Sequence, residues 1–248
     1  MDHDDCDLRC GPGGPVLRRV RNQGPSSIGW ALTILSAMEY TLARINPADN
    51  ELSLQFIIYT LREYLIARKL IQDDARTWRG DYEVPMLEVF RWLMLHGVAK
   101  ESECKSLAKV FLDSGMTVAY LQDYTVINVE NEELMLNLLS DGFCLCATIQ
   151  IFEDLKEYKH DENSVYEATA EDKEFVSHAV LITGFGTTPI TRKKFWWIKN
   201  SWGEEWGDKG FGRIYRGYDA IHPRTGQGNP NLLKEVIVCR VVKEKVLD

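Results

Sequence analysis

Apolar positions in the first half of the chain recur at helical steps. Leu32, Leu35, Met38, Leu42 and Ile45 follow one another at three- and four-residue intervals, supported by Ala31, Ala37 and Ala43. That spacing predicts a helix over Trp30–Ile45, limited by Pro47. Ser53 supplies an N-cap for a second helix running towards Leu70, with Phe56, Ile57, Leu61, Leu65 and Ile66 available for burial. A polar connector, Gln72–Asp81, follows. Pro85 opens a third helix in its first turn, and Gly97 closes it. Asn131, Glu132 and Glu133 start a short helix that ends near Gly142.

The pattern then changes. Phe143–Ile151, Val176–Phe185, Phe195–Lys199, Phe211–Tyr215 and Glu235–Val242 are short runs rich in β-branched or aromatic residues. They predict strands bounded by Gly turns. Residues 1–25, rich in Gly, Pro, Asp and Arg, read as irregular. Helices gathered before strands indicate the α+β class, with two lobes in one compact unit.

Composition narrows the partners. The 248 residues are 45% hydrophobic and 27% charged, with a formal net charge of -8. The acidic balance argues against nucleic acid, whose binders carry a basic face. No apolar run approaches the ~20 residues of a membrane helix. The start, Met1 to Cys6, is acidic where a secretory signal is basic and then apolar. Six cysteines do not form a dense disulfide pattern. Cys144 and Cys146, two apart in an apolar run, read as small buried hydrophobes or as half of a metal site. Neither metal nor cofactor is expected, because no nearby Cys or His completes a ligand set.

Two distant segments carry chemistry. The first is Asn22-Gln23-Gly24-Pro25-Ser26-Ser27-Ile28-Gly29-Trp30-Ala31, leading into the first helix. The second begins Ser177-His178-Ala179-Val180. It continues through Gly184-Phe185-Gly186 to Trp197-Ile198-Lys199-Asn200-Ser201-Trp202-Gly203 and Glu205-Trp206-Gly207-Asp208-Lys209-Gly210-Phe211. Taken singly, a His in a strand, a Gly-rich turn and a Trp cluster are also what ordinary packing produces.

Together the segments resemble the papain family of cysteine peptidases. There the first segment reads Asn-Gln-Gly-Ser-Cys-Gly-Ser-Cys-Trp-Ala, with a His and an Asn far downstream. His178 lies 149 residues after Gly29 (178 − 29) and Asn200 lies 171 after it (200 − 29). The extra length fits an expanded hairpin at Thr187–Lys194. Asp7-Leu8-Arg9, Leu52-Ser53-Leu54-Gln55 and Gly80-Asp81-Tyr82 resemble further family motifs, so the likeness spans about residues 7 to 243. It implies a single papain-like domain over 1–248, with a mainly helical lobe at about 7–125 and an antiparallel β-barrel-like lobe at about 126–243. A cleft would run between them. The resemblance makes His178 the general base, Asn200 its orienting partner, Gln23 the oxyanion donor and Trp202 a shield over the His–Asn pair. It also places Trp202, Trp30, Ala147 and Gly80 among the peptide-binding residues.

The pattern breaks at the nucleophile. Trp30-Ala31 on one side and Asn22-Gln23-Gly24 on the other put Gly29 on that position without a gap. The chemistry requires a thiolate activated by imidazolium and a helix N-terminus, and glycine has nothing to attack with. Ser26 and Ser27 precede the helix and fall on the family's first disulfide cysteine and the glycine after it. Pro25 is a second departure, restricting Gly24 beside Gln23. The family's bridging cysteines are missing as well.

The leading expectation is a catalytically inactive homologue that binds a peptide or protein ligand through a retained cleft. The alternatives are a structural or assembly subunit using other surfaces, and an active cysteine-type peptide hydrolase by an unrecognised route. No nucleic-acid or membrane partner is expected. Few disulfide-positioned cysteines, and neither signal nor propeptide, lead to an intracellular expectation. A vacuolar, lysosomal or secreted setting is expected only if the sequence begins downstream of its natural start.

Overall fold

The computed structural model describes residues 5–11, 14–15, 17, 19–45, 50–78, 80–104, 116–168, 175–217 and 232–246. Residues 1–4, Pro47 and the side chain of Cys10, used in the sequence reading, lie outside the described residues. In chain order the first elements are β1 (Cys6–Asp7), β2 (Cys10–Gly11), β3 (Gly14–Pro15), α1 (Gly29–Ala43), α2 (Leu54–Ala67), α3 (Ala75–Trp78) and α4 (Met86–Leu95). Then come β4 (Val98–Ala99), β5 (Thr117–Ile127), α5 (Glu132–Ser140), β6 (Leu145–Ile151), β7 (Val176–Thr187), β8 (Lys194–Lys199), β9 (Phe211–Tyr215) and β10 (Leu233–Val246).

The chain divides into two compact units, Met1–Asn22 with Val126–Val238, and Gln23–Thr125 with Cys239–Asp248. Each unit combines two separate stretches of the chain. The first 22 residues go with the later strands, because β1 pairs with β7, Cys6 opposite Phe185. The end of β10 goes with the helices.

In the helical unit, α1 is buried without a break from Gly29 to Met38. A helix enclosed on every side is a core helix, not an amphipathic one. α2 starts where expected: Ser53 Oγ accepts the Phe56 N–H at 3.4 Å. Phe56, Ile57, Leu61 and Leu65 are buried, while Ile66 is half-buried. The expected connector after α2 contains α3, because Asp74 Oδ1 accepts both the Arg76 and Thr77 amides at 2.9 Å. Pro85 sits at the N-cap of α4 rather than inside it. β5 was not predicted. Its Val118, Ala119 and Leu121 are buried, but exposed Gln122 and Asp123 interrupt the apolar pattern.

In the other unit, the order β10-β6-β7-β8-β9 is antiparallel throughout. The sheet is open; it does not close into the barrel-like form expected from the sequence. The outer edge of β9 is covered at Tyr166, whose amide donates to Arg213 O while its carbonyl accepts from Tyr215, both at 2.9 Å. Such cover protects an edge strand. Leu145, Ala147, Ile149, Val180, Ile182, Ile198 and Val236 form the centre of the core. Gly184 has a steric reason: a Cβ there would lie 2.1 Å from Cys6 O. Cys144 precedes β6 and Cys146 lies within it; both are buried.

Candidate functional site

His178 is the third residue of β7, opposite Ile149 of β6. Its Nε2 lies 2.7 Å from Asn200 Oδ1. The Ser201 backbone amide also meets Oδ1, at 2.8 Å. A backbone N–H can only donate, so that atom is the carboxamide oxygen and Nε2 must carry the ring proton. Nδ1 then holds the lone pair of the neutral ring. Asn200 follows β8 directly, and its amide donates to Gly210 O at 2.9 Å, closing the Gly-rich turn beneath it. Asn200 Nδ2 is buried without a partner among the described residues.

Trp202 covers the pair. Its ring centroid is 4.7 Å from that of His178, tilted by 32°. Trp206 meets Trp202 edge-on at 5.6 Å and donates its indole N–H to Leu155 O at 2.8 Å. Trp202 is bridged to Asn22, and Gly203 N donates to Arg21 O at 3.2 Å, fixing the loop from the other side. His178 is only 9% exposed. Burial pushes its pKa below the ordinary value, and the Asn200 hydrogen bond opposes that only in part. The arrangement offers a neutral, oriented imidazole with one basic nitrogen.

The other candidates belong to the helical unit. Gly29 is the first residue of α1, buried, and follows an N-cap, Ile28, that makes no side-chain capping bond. Gln23 Nε2 donates to Ser26 O at 2.9 Å, and Ser26 N donates back to Gln23 O at 3.3 Å. This turn leads into the helix. Trp30 Nε1 donates to Tyr82 O at 3.2 Å, with the two rings 5.6 Å apart. Gly80 is buried at φ +78°, where a Cβ would press on Ile58 at 3.0 Å.

Exposure separates the residues that the resemblance assigned to peptide binding. Trp202 is half-exposed, whereas Trp30 is 6% exposed and Gly80 is buried. Ala147 has no exposed surface; it lies in the centre of β6 between Val180 and Val236. Ser201, whose amide sets the Asn200 carboxamide, was quoted in the sequence motif but given no role there. A backbone donor leaves no signal in residue type.

Comparison with known proteins agrees with the motifs. The family described as papain family cysteine protease matches residues 3–227. Cathepsin W of Mus musculus is 33% identical over 255 aligned residues, 90% of this chain and 62% of the relative. Cathepsin C of Schistosoma mansoni is 34% identical over 123 residues, 45% of this chain and 26% of the relative. The chain therefore spans only part of these curated relatives. Among solved structures, digestive procathepsin L 3 of Tenebrio molitor larval midgut superposes with a TM-score of 0.68 at 21% identity, covering 94% of this chain and 68% of that one. The bromelain protease of Ananas comosus gives 0.63 at 20% identity, covering 94% and 97%. These two likenesses concern the fold. With the family match across residues 3–227, the chain belongs to the papain family of cysteine proteases.

Proposed function

We propose that this chain is a catalytically inactive member of its family that binds peptide segments of protein partners through the family's cleft. The observation that carries the reading is Gly29 at the first position of α1. The family places its thiol nucleophile at the residue before Trp-Ala, and here that residue has no side chain. Losing a nucleophile of this kind costs on the order of 10⁶ in turnover. The depressed pKa of His178 supports the reading. A thiolate neighbour favours imidazolium, whereas here burial pushes the pKa the other way.

The retained orientation of His178 by Asn200, under Trp202, is the reason to expect a binding function rather than a decayed scaffold. The formal charge of -8 supports a protein or peptide ligand over nucleic acid. Cys6, Cys104, Cys144, Cys146 and Cys239 are all thiols outside any disulfide, which supports a reducing, intracellular setting. A second reading, a structural or assembly subunit, is favoured by the burial of Trp30, Gly80 and Ala147, which act here as packing residues.

The test is a fluorogenic peptide assay on the purified chain with an active-site thiol probe alongside. No hydrolysis above background and no labelling are expected. Turnover above ~0.01 s⁻¹, far below the ~10 s⁻¹ of a typical enzyme, overturns the reading if it disappears in His178→Ala.

A further inference from the structure

Arg62 stands in the middle of α2 at 1% exposure, among the largest fully buried side chains of the described residues. An arginine is seldom buried unless its donors are used. Three of its contacts lead to one segment. Nε donates to Thr77 Oγ1 at 3.3 Å, and a guanidinium nitrogen pairs with Asp73. Arg62 Cζ lies over the Trp78 ring, 3.9 Å from its centre, and the other fork of the guanidinium reaches Glu63 on its own helix. Asp73, Thr77 and Trp78 all belong to the segment between α2 and α4.

That segment makes a further set of contacts. The single Thr77 O–H donates towards the carbonyls of Gln72 and Asp74, both within reach at 3.0 and 2.9 Å. Gly80 N donates to Thr77 O, and Asp81 N donates to Arg76 O, both at 3.0 Å. The chain from Arg62 thus ends at Gly80 and Asp81. Ser27, Gln72, Thr77, Asp81, Tyr82 and Glu83 line a pocket of about 300 Å³, two residues from Gly29 in sequence at Ser27.

We infer that Arg62 is a positioning residue that clamps segment 72–78 and thereby sets the wall of this pocket. The further claim that the wall receives peptide rests on the function proposed above. The fork matters: one guanidinium lies over Trp78 while it donates to Thr77 and Asp73, an array an ammonium cannot copy. The Asp73 and Glu63 side chains are 63% and 54% exposed, so removing Arg62 strands no carboxylate in the interior. Arg62→Met, which keeps the volume, should therefore fold.

Hydrogen exchange followed by mass spectrometry tests the clamp. In Arg62→Met, amides of Thr77, Gly80 and Asp81 should lose protection by on the order of 100-fold, while α1 and β6–β8 keep theirs. Arg62→Lys should restore little of it. Unchanged protection at those three amides overturns the inference, as does a uniform loss across both units. The binding consequence is read in a Gly29→Cys background with two alkylating reagents. Arg62→Met should weaken saturable binding of a peptidyl chloromethyl ketone about tenfold and leave the iodoacetamide rate unchanged. Equal effects on both reagents count against positioning. If the peptidyl reagent shows no saturable binding even with Arg62 present, the peptide-binding reading fails, and the exchange result still decides the clamp.

Discussion

His178 donates its Nε2–H to Asn200 Oδ1 at 2.7 Å, and the direction of that bond is set by the Ser201 amide on the same oxygen. The carboxamide cannot flip without facing an N–H with another N–H. The imidazole is therefore locked in one tautomer by backbone geometry. Changing the acceptor should change the ring's acidity in a defined direction.

Asn200→Asp replaces a neutral acceptor with a carboxylate in a buried position. An opposite charge at hydrogen-bond range favours the imidazolium, so the His178 pKa should rise by about 1 unit or more. An NMR titration of the ring protons in both proteins measures it. The wild-type midpoint should lie below the ordinary ~6.5. Coincident titrations in the two proteins would show that Asn200 does not control the ring.

The same depression sets a pH dependence of stability. The folded pKa of His178 is below its unfolded value. Between the two, the unfolded chain binds more protons than the folded one. Stability should thus be complete above about pH 6.5 and decline as the pH falls towards the folded pKa. Denaturant melts of the wild type and His178→Gln across pH 5–8 isolate this contribution as their difference. A difference that does not change with pH in that range would contradict it.

Redox conditions should matter little. Among the described residues five thiols lie outside disulfides, and burial pushes the thiols of Cys6 and Cys239 up to about 11 and about 12. Cys6 Sγ donates to Leu139 O at 3.4 Å, a packing role. Thermal midpoints with and without reductant should agree within a few degrees. A large fall under reductant would reveal a bridge, with Cys10 the residue to examine first.

The attachment of the N-terminal segment can be tested at Gly184. Any side chain there meets Cys6 O at 2.1 Å, a backbone atom that cannot rotate away. Gly184→Ala should cost about 1–3 kcal/mol and release β1, seen as lost amide protection at Leu8, which donates to Thr183 O at 2.8 Å. Retained protection at Leu8 would show that β7 yields instead.

Legibility in the sequence followed the strength of local periodicity. α1, the Ser53 cap and the runs that became β6, β8 and β9 were readable because their patterns are short-range. β5 was not, since its exposed centre at Gln122 and Asp123 breaks the apolar alternation. Which unit β1 and the last part of β10 join rests on contacts distant in sequence, which a local pattern does not carry. Family likeness named Ala147 and Gly80 as binding residues, but motif position carries no information on exposure, and both are buried. The burial of Arg62 was not legible in the sequence, since an arginine at a helical position reads as exposed, whereas it is one of the most buried side chains of its helix. The partners that make this possible, Asp73, Thr77 and Trp78, lie in a connector without periodicity.

Restoring the missing thiol separates an organised site from a decayed one. Gly29 has no positive φ and opens α1, so a side chain enters without backbone strain. In Gly29→Cys the new sulfur sits at a helix N-terminus, and the function proposed above requires that it also meet the His178 imidazole. Both lower its pKa. The background is favourable for detection, because burial raises the thiols of Cys6, Cys104 and Cys239 above the ordinary value. Iodoacetamide near neutral pH should therefore label position 29 first. The double variant with His178→Ala should lose most of that advantage, leaving only the helix contribution of roughly 0.3–1 kcal/mol. Asn200→Ala should fall between the two, since the ring is retained but not held. Amidase activity in Gly29→Cys is expected to be weak at most, because Pro25 constrains Gly24 and the Gln23 amide, which the family resemblance casts as oxyanion donor, donates to Ser26 O instead. If the new cysteine reacts no faster than an ordinary exposed thiol, with or without His178, then the His178–Asn200–Trp202 cluster serves packing alone. The assembly-subunit reading would then replace peptide binding.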